Sequence, residues 1–401
     1  MRLKNGSFEE MARQIKQEKQ EIVIFGAGMI GTVTALSLLK EYGLEDKLSF
    51  YVDNDPQKAG DAGNGYEVRP VERLKDAAGD KLVILLAVSR FSDSLAQLEN
   101  FKNLEYTDCF LIPMMCITNF RPSEENLIQK DSKTRRIPKR IHYMWLGGKE
   151  LPAALSRCME SWKKYCPDYE ILCWNESNYD INKNPYMKEA YERGMYGFVP
   201  DYARLDILYT YGGIYLDTDV ELVRGLDDML YQEAFCSVEK WQNLNFGGGS
   251  GSVKGGRAVG ELLKARENLA FIDERGNVNK NTCGYYDTLA LQKFGYKVCG
   301  RVQKILDMNV YPYEVFHPYD YMSGRTVRSV NTHGIHHFNG GWLDEEMRQA
   351  NQRAVEEFEE ICQKAKCGSC HSSYGSQVPC ERNSICPFEI ACGDGAYALA
   401  P

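Results

Sequence analysis

Two aspartates one residue apart, Asp217 and Asp219, close the apolar segment Tyr211-Gly212-Gly213-Ile214-Tyr215-Leu216. If that segment is a strand, alternate side chains share a face and both carboxylates point the same way. Two like charges held close raise each other's pKa unless a cation neutralises them. Hard dications such as Mg2+ or Mn2+ take carboxylate oxygens and keep positions open for substrate phosphates. The chemistry implied is metal-assisted binding of a diphosphate, with a nucleoside diphosphate the expected ligand.

A second Asp-x-Asp at Asp53 and Asp55 shows that the pair alone decides little, so its neighbourhood matters. Residues Asp201 to Tyr211 read as a helix that starts behind Pro200, with Leu205, Leu208 and Tyr209 on one apolar face. Asp201 and Arg204 lie three apart and meet on one side of it. They form either part of a site or a surface ion pair worth little. Gly212 and Gly213 let backbone approach closely before the strand.

With that core in place, residues 137 to 345 resemble a glycosyltransferase of the family 32 type. This DXD sugar-binding group includes yeast mannosyltransferases, bacterial capsule and lipopolysaccharide enzymes and, more distantly, the glucosylating domains of large clostridial toxins. The resemblance rests on ordered segments. Ile137-Pro138-Lys139-Arg140-Ile141-His142-Tyr143-Met144-Trp145-Leu146-Gly147-Gly148 is similar to the opening strand, and Pro167 to Trp174 to the second. Asp201 to Asp219 matches the central signature, and Val315-Phe316-His317-Pro318 with Ile335-His336-His337-Phe338-Asn339-Gly340-Gly341-Trp342 the closing motifs.

The resemblance implies a GT-A type α/β domain and a role for each matched residue. Asp219 is the more direct ligand of Mn2+ or Mg2+, and Asp217 reaches the ribose or a metal-bound water. His337 completes the metal shell. Asp201 and Arg204 hold donor-sugar hydroxyls, Arg204 also approaching the diphosphate. Trp342 donates toward the leaving phosphate. Trp145 is either a wall for the nucleotide base or an ordinary core indole at a strand end. Gly341 stands where relatives commonly carry Ser, and Cys283-Gly284-Tyr285 replaces a Thr-Gly-Pro-like stretch; sugar and acceptor identity are therefore not inherited.

The implied reaction moves a hexose or aminohexose from a nucleoside diphosphate sugar, a UDP-sugar favoured, to a hydroxyl of a glycan or glycolipid acceptor. The setting expected is bacterial capsule, exopolysaccharide or glycolipid synthesis. Retention of anomeric configuration is expected, and with no side chain identifiable as covalent nucleophile, same-face attack through an oxocarbenium-like state follows. Two other classes stay open: a non-catalytic nucleotide-sugar scaffold, and a nicotinamide-dependent sugar oxidoreductase, for which no catalytic Tyr-Lys or Cys arrangement is found.

Upstream, residues 1–117 read as a charged helix followed by a small Rossmann-like parallel-sheet domain. The buried strand Glu21 to Phe25 runs into Gly26-Ala27-Gly28-Met29-Ile30-Gly31, and the strand Leu48 to Val52 ends at Asp53, 22 positions beyond Gly31. Gly26, Gly28, Gly31 and Asp53 thus have the spacing of a dinucleotide fingerprint, phosphate at the helix N-terminus and acid on the ribose. A degenerate structural or docking module is the alternative. Strands at Leu82 to Val88 and near Phe110 would complete the sheet.

Residues 118–136, rich in polar side chains, read as a linker, and 137–345 as the catalytic domain. Asn245 to Gly256, carrying Gly247-Gly248-Gly249, reads as a mobile loop, which the resemblance places near the acceptor, or as a plain flexible connector. Residues 346–401 read as a helix and a tail with six of the 14 cysteines, at 362, 367, 370, 380, 386 and 392. Structural Zn2+, an iron–sulfur site or disorder are its three readings.

The net charge of -8 argues against a nucleic-acid partner and against electrostatic attachment to anionic lipid. The longest apolar run, Leu82 to Val88, is too short to span a bilayer, and the charged N-terminus lacks a secretory apolar segment. A cytoplasmic protein is expected, with transient peripheral contact at the inner membrane face left open for a lipid-linked acceptor.

Overall fold

The computed structural model describes residues 1–339 apart from positions 5, 90, 273–275 and 280, with a few positions between 349 and 361. The chain divides into two compact units, one built on Met1–Arg121 and one on Pro122–Asn351.

The first unit runs β1 (Arg2–Lys4), α1 (Phe8–Glu18), β2 (Glu21–Phe25), a π-helical turn Ile30–Ala35 continuing into α2 (Leu36–Glu41), and β3 (Leu48–Asp53). Then come β4 (Gly60–Asp61), β5 (Glu67–Pro70), β6 (Leu82–Leu86), α3 (Phe91–Glu99), β7 (Asp108–Leu111) and α4 (Ile112–Asn119). α1 starts in a capping box, in which Ser7 Oγ accepts the Glu10 N–H and the Glu10 carboxylate accepts the Ser7 N–H. The strands order as β1-β7-β6-β2-β3-β5-β4, parallel throughout except β4 against β5. All five residues of β6 are buried, as a strand covered on both faces requires. The four strands expected from sequence lie together at its centre.

The second unit opens without regular structure, yet its backbone is tied down. The Ser123 N–H donates to the buried Glu314 carboxylate at 2.9 Å, Leu127 N–H to Asn331 Oδ1 at 2.8 Å and Gln129 N–H to the Tyr311 hydroxyl at 3.0 Å. The elements that follow are β8 (Arg140–Met144), α5 (Ala153–Tyr165), β9 (Glu170–Trp174), α6 (Pro185–Glu192), α7 (Pro200–Tyr211), β10 (Gly213–Tyr215) and β11 (Val220–Leu222). Next are β12 (Ala234–Val238), β13 (Leu244–Asn245), β14 (Ser250–Ser252), α8 (Arg257–Arg266) and α9 (Cys283–Gln292). The unit ends in β15 (Gln303–Ile305), β16 (Met308–Tyr311), β17 (Tyr319–Asp320), β18 (Arg325–Thr326) and β19 (Gly334–His336).

Its main sheet is mixed, ordered β15-β16-β12-β14-β10-β8-β9 with β13 beside β12. A separate antiparallel pair, β11 with β19, sets Val220 opposite His336. Trp162 of α5 anchors that pair: it is fully buried and its indole N–H donates to the Val220 carbonyl at 2.7 Å. Ser161 Oγ accepts the Leu222 N–H at 2.8 Å. Among the described residues no helix is long and apolar enough to cross a membrane.

Candidate active site

Pro200 occupies the first turn of α7, where its missing N–H costs nothing. The helix ends at Gly212, φ 66°, and Gly213 follows at φ 110°. A methyl group on Gly212 would press on the Lys254 amide, and one on Gly213 on His142 Nε2. That turn is held by a buried histidine. The Trp174 indole can only donate, so His142 Nδ1 accepts from it at 3.2 Å and Nε2–H must donate to the Gly212 carbonyl at 2.8 Å. Burial holds the His142 pKa below its ordinary value and the ring neutral.

Beyond β10 the chain leaves the sheet. Asp217 and Asp219 lie not in a strand, as expected from the sequence, but in a tight turn closed by the Val220 N–H donating to the Asp217 carbonyl at 3.1 Å. Alternation along a strand is therefore not what brings their carboxylates together; the turn is. One oxygen of each and one nitrogen of His336 lie within 4.8 Å of one another.

The histidine of this cluster is His336, whereas the sequence points to His337. His337 Nε2 instead meets Glu221 Oε2 at 3.0 Å, whereas His336 Nε2 lies 3.3 Å from Asp219 Oδ1. Consecutive residues in extended chain face opposite ways, so the β11–β19 register decides which ring reaches the aspartates. The Asn339 N–H donates to Asp219 Oδ2 at 2.8 Å. Burial alone would raise the Asp219 pKa, but His336 and that amide hold it down at about 2. Burial likewise opposes a charge on His336, and Asp219 overrides it, raising the His336 pKa. Two partly exposed carboxylates and a buried imidazole form a donor set suited to Mn2+ or Mg2+. The His336 Nδ1 atom is buried without a partner among the described residues.

On the other side of Asp217 sits a buried guanidinium. Arg204 Nη2 lies 3.3 Å from Asp201 Oδ1 and 3.4 Å from Asp217 Oδ1. Its Nε donates to the Pro200 carbonyl at 3.1 Å and its Nη1 to Cys283 Sγ at 3.6 Å. With Asp201 6% and Arg204 4% exposed, this is no surface ion pair. Burial raises the Asp201 pKa to about 6 despite Arg204 and Arg266 nearby.

The glycine run is the other departure from expectation. Residues 247–249 are buried, and Ser250–Ser252 forms β14 between β12 and β10, so the stretch is neither a mobile loop nor a loose connector. The Gly247 carbonyl accepts the Asp217 N–H at 2.7 Å, while Asn245 Oδ1 accepts the Gly247 and Gly248 amides. A methyl group on Gly247 would collide with Asp217 Oδ2, and one on Gly248 with the His317 ring. His317 is fully buried, its Nδ1 2.9 Å from Ser237 Oγ, and burial drives its pKa well below the ordinary value.

Trp145 stands at the end of β8, half-buried, with its indole donating to the Lys149 carbonyl at 2.7 Å. Trp342, Gly341 and the six tail cysteines lie outside the described residues. Of the other eight cysteines, five are buried and none is disulfide-bonded. In the first unit a methyl group on Gly31 would strike the Gly26 carbonyl, and Gly26 has φ 108°. Asp53 turns to that glycine turn itself: Oδ2 accepts the Ala27 N–H at 2.7 Å and meets Lys58 Nζ at 3.0 Å, and Oδ1 accepts the Asp55 N–H at 2.9 Å.

Residues 152–236, which hold Asp201, Arg204, Asp217 and Asp219, match the family described as "Glycosyltransferase sugar-binding region containing DXD motif". Inositol phosphoceramide mannosyltransferase 3 of Schizosaccharomyces pombe is 33% identical over 108 residues, 26% of this chain and 30% of that protein. An uncharacterized glycosyltransferase of Acanthamoeba polyphaga mimivirus is 32% identical over 114 residues, 27% and 45% of the two chains. Subversion of eukaryotic traffic protein A of Legionella pneumophila is 27% identical over 144 residues, 29% and 22%. The chain thus spans less than half the length of these relatives. The solved PaToxG glycosyltransferase aligns over 41% of this chain and 72% of its own at 19% identity and a TM-score of 0.33, too loose a superposition to bear on the fold. The family match and the two glycosyltransferase relatives support a glycosyltransferase of the DXD type.

Proposed function

We propose that this chain is a metal-dependent, retaining glycosyltransferase of GT-A type, moving a hexose or aminohexose from a nucleoside diphosphate sugar to an acceptor hydroxyl. The observation that carries the reading is the convergence of Asp217, Asp219 and His336 within 4.8 Å, beside the buried Asp201–Arg204 pair. When bound by those three residues, Mn2+ or Mg2+ would offset the charge that develops on a departing diphosphate. Asp219 is already ionised and oriented by His336 and the Asn339 amide. Arg204, fixed by four partners, presents a cation that needs no rearrangement as the leaving group gains charge. Asp201 accepts from donor-sugar hydroxyls, and the glycine strap lets the sugar approach Asp217 without side chains in the way.

A glycan or glycolipid acceptor fits this chemistry, and the mannosyltransferase relative, by its name, acts on inositol phosphoceramide. That likeness supports a role in glycolipid or surface polysaccharide synthesis. The test is donor hydrolysis across UDP- and GDP-sugars with Mn2+, for wild type and Asp219→Ala. The variant should lose at least about a hundredfold, as when a principal electrostatic group is removed from an active site. Turnover that survives Asp219→Ala would move the site elsewhere, and no turnover of any donor in wild type would favour a binding scaffold.

A further inference from the structure

Behind Asp201 and Arg204 lies a second buried ion pair. Arg266, at the end of α8, and Asp287, in α9, are 2% and 1% exposed. Arg266 Nε and Nη2 both donate to Asp287 Oδ1, at 3.0 and 2.8 Å. Nη2 also donates to the Cys283 carbonyl at 3.0 Å, and Cys283 Sγ is the atom that Arg204 Nη1 reaches. A continuous chain of contacts thus runs from Asp287 through Arg266 and Cys283 to Arg204, and from there to Asp201 and Asp217. Three buried polar atoms in this region, Arg266 Nη1, Asp287 Oδ2 and the Tyr186 hydroxyl, have no protein partner among the described residues. Buried ion pairs and unpaired polar atoms are poor sources of stability. Their concentration against one wall of the candidate site calls for a role there.

We propose that Arg266 and Asp287 are positioning residues of the donor-sugar pocket. Arg266 pins Cys283 against Arg204, and Asp287 occupies the Arg266 guanidinium that would otherwise draw Asp201 away from Arg204. The inference rests on the donor-sugar role given to Asp201 and Arg204 above. Two cations, Arg204 and Arg266, thus meet at Cys283, with Asp201 and Asp217 beside the first and Asp287 beside the second. Arg266 already interacts electrostatically with Asp201. A buried cation that loses its carboxylate must find another anion or leave the interior. Without Asp287, the available anion is Asp201, and a shift toward Arg266 would break the Asp201–Arg204 geometry that meets the sugar hydroxyls. The nucleoside diphosphate is spared, because Arg204 keeps Asp217 and the Pro200 carbonyl as partners when Asp201 is drawn away.

The test separates sugar from nucleotide. Binding of UDP and GDP, and of UDP-glucose, UDP-N-acetylglucosamine and GDP-mannose, is measured with Mn2+ for wild type and Asp287→Asn. In the variant the nucleoside diphosphates should bind as in wild type, while the sugar nucleotide that gains most from its sugar should weaken by at least about tenfold, as expected for a broken buried pair. Because Asp287→Asn leaves a buried cation, the double variant Arg266→Met, Asp287→Leu provides a folded counterpart, with an expected loss of about threefold confined to sugar nucleotides. Equal losses for nucleotide and sugar nucleotide, or wild-type sugar-nucleotide affinity in both variants, would overturn the role given to the pair. Wild type gaining nothing from any sugar would instead overturn the reading of the pocket itself.

Discussion

At the scale of single residues, the choice between His336 and His337 is decided by one step along the chain. His336→Ala removes a metal-facing nitrogen and the partner that orients Asp219, and should weaken Mn2+ binding by at least about tenfold, the size of loss seen when a supporting group is taken from a metal site. His337→Ala breaks only a half-exposed pair with Glu221 and should change it by less than about twofold. Titration with Mn2+ by electron paramagnetic resonance reads both; the reverse order would return His337 to the site. Asp201 gives a second prediction, with opposite signs for binding and stability. Its pKa of about 6 stands above the unfolded value of about 3.9. The folded state therefore takes up the proton first, and this group favours folding as pH falls from about 6 toward 4. Donor binding needs the ionised carboxylate. The Kd for a sugar nucleotide should rise below pH 6, and Asp201→Asn should remove that inflection along with most of the affinity.

At the scale of elements, the helix behind Pro200, strands at 21–25, 48–52, 82–88 and near Phe110, and the pairing of Asp201 with Arg204 were legible in the sequence. Each follows from local chemistry: a proline at a helix start, short apolar runs, a three-residue spacing. What was not legible depends on register and close approach. The β11–β19 pairing joins segments over 110 residues apart, and no local pattern says which of two adjacent histidines it turns inward. The glycines at 247–249 carry the composition of a flexible connector. Only the neighbours that a methyl group would strike show that they are there for proximity to Asp217 and His317. Gly247→Ala should test this. Forced overlap with Asp217 Oδ2 is expected to lower donor hydrolysis by about a hundredfold, as for a small displacement of a reacting group. The destabilisation should be about 1–3 kcal/mol, typical of overpacking. Full activity in a folded Gly247→Ala protein would mean that the strap does not bear on the aspartate.

At the scale of the whole molecule, two units each carry an Asp-x-Asp, and the two copies do different work. In the second unit Asp219 faces a histidine and Asp217 an arginine, at partly exposed positions. In the first, Asp53 is taken up by the Ala27 and Asp55 amides and Lys58, which ties the strand end to the glycine turn. Burial alone would raise the Asp53 pKa, but these partners outweigh it and hold it below the ordinary value. A depressed carboxylate contributes stability above its unfolded pKa and loses it as pH falls below about 4. Asp53→Asn should therefore cost about 1.5–3 kcal/mol at neutral pH, the range for hydrogen bonds to a charged group, and should flatten the acid side of the stability profile. Because the candidate site draws all its described residues from the second unit, donor hydrolysis by the folded variant should match wild type. Thermal melting at pH 7 and pH 3.5 beside hydrolysis rates separates the outcomes. A variant that melts like wild type yet loses turnover would show that the glycine turn serves the reaction, and the division of work between the two units would have to be redrawn.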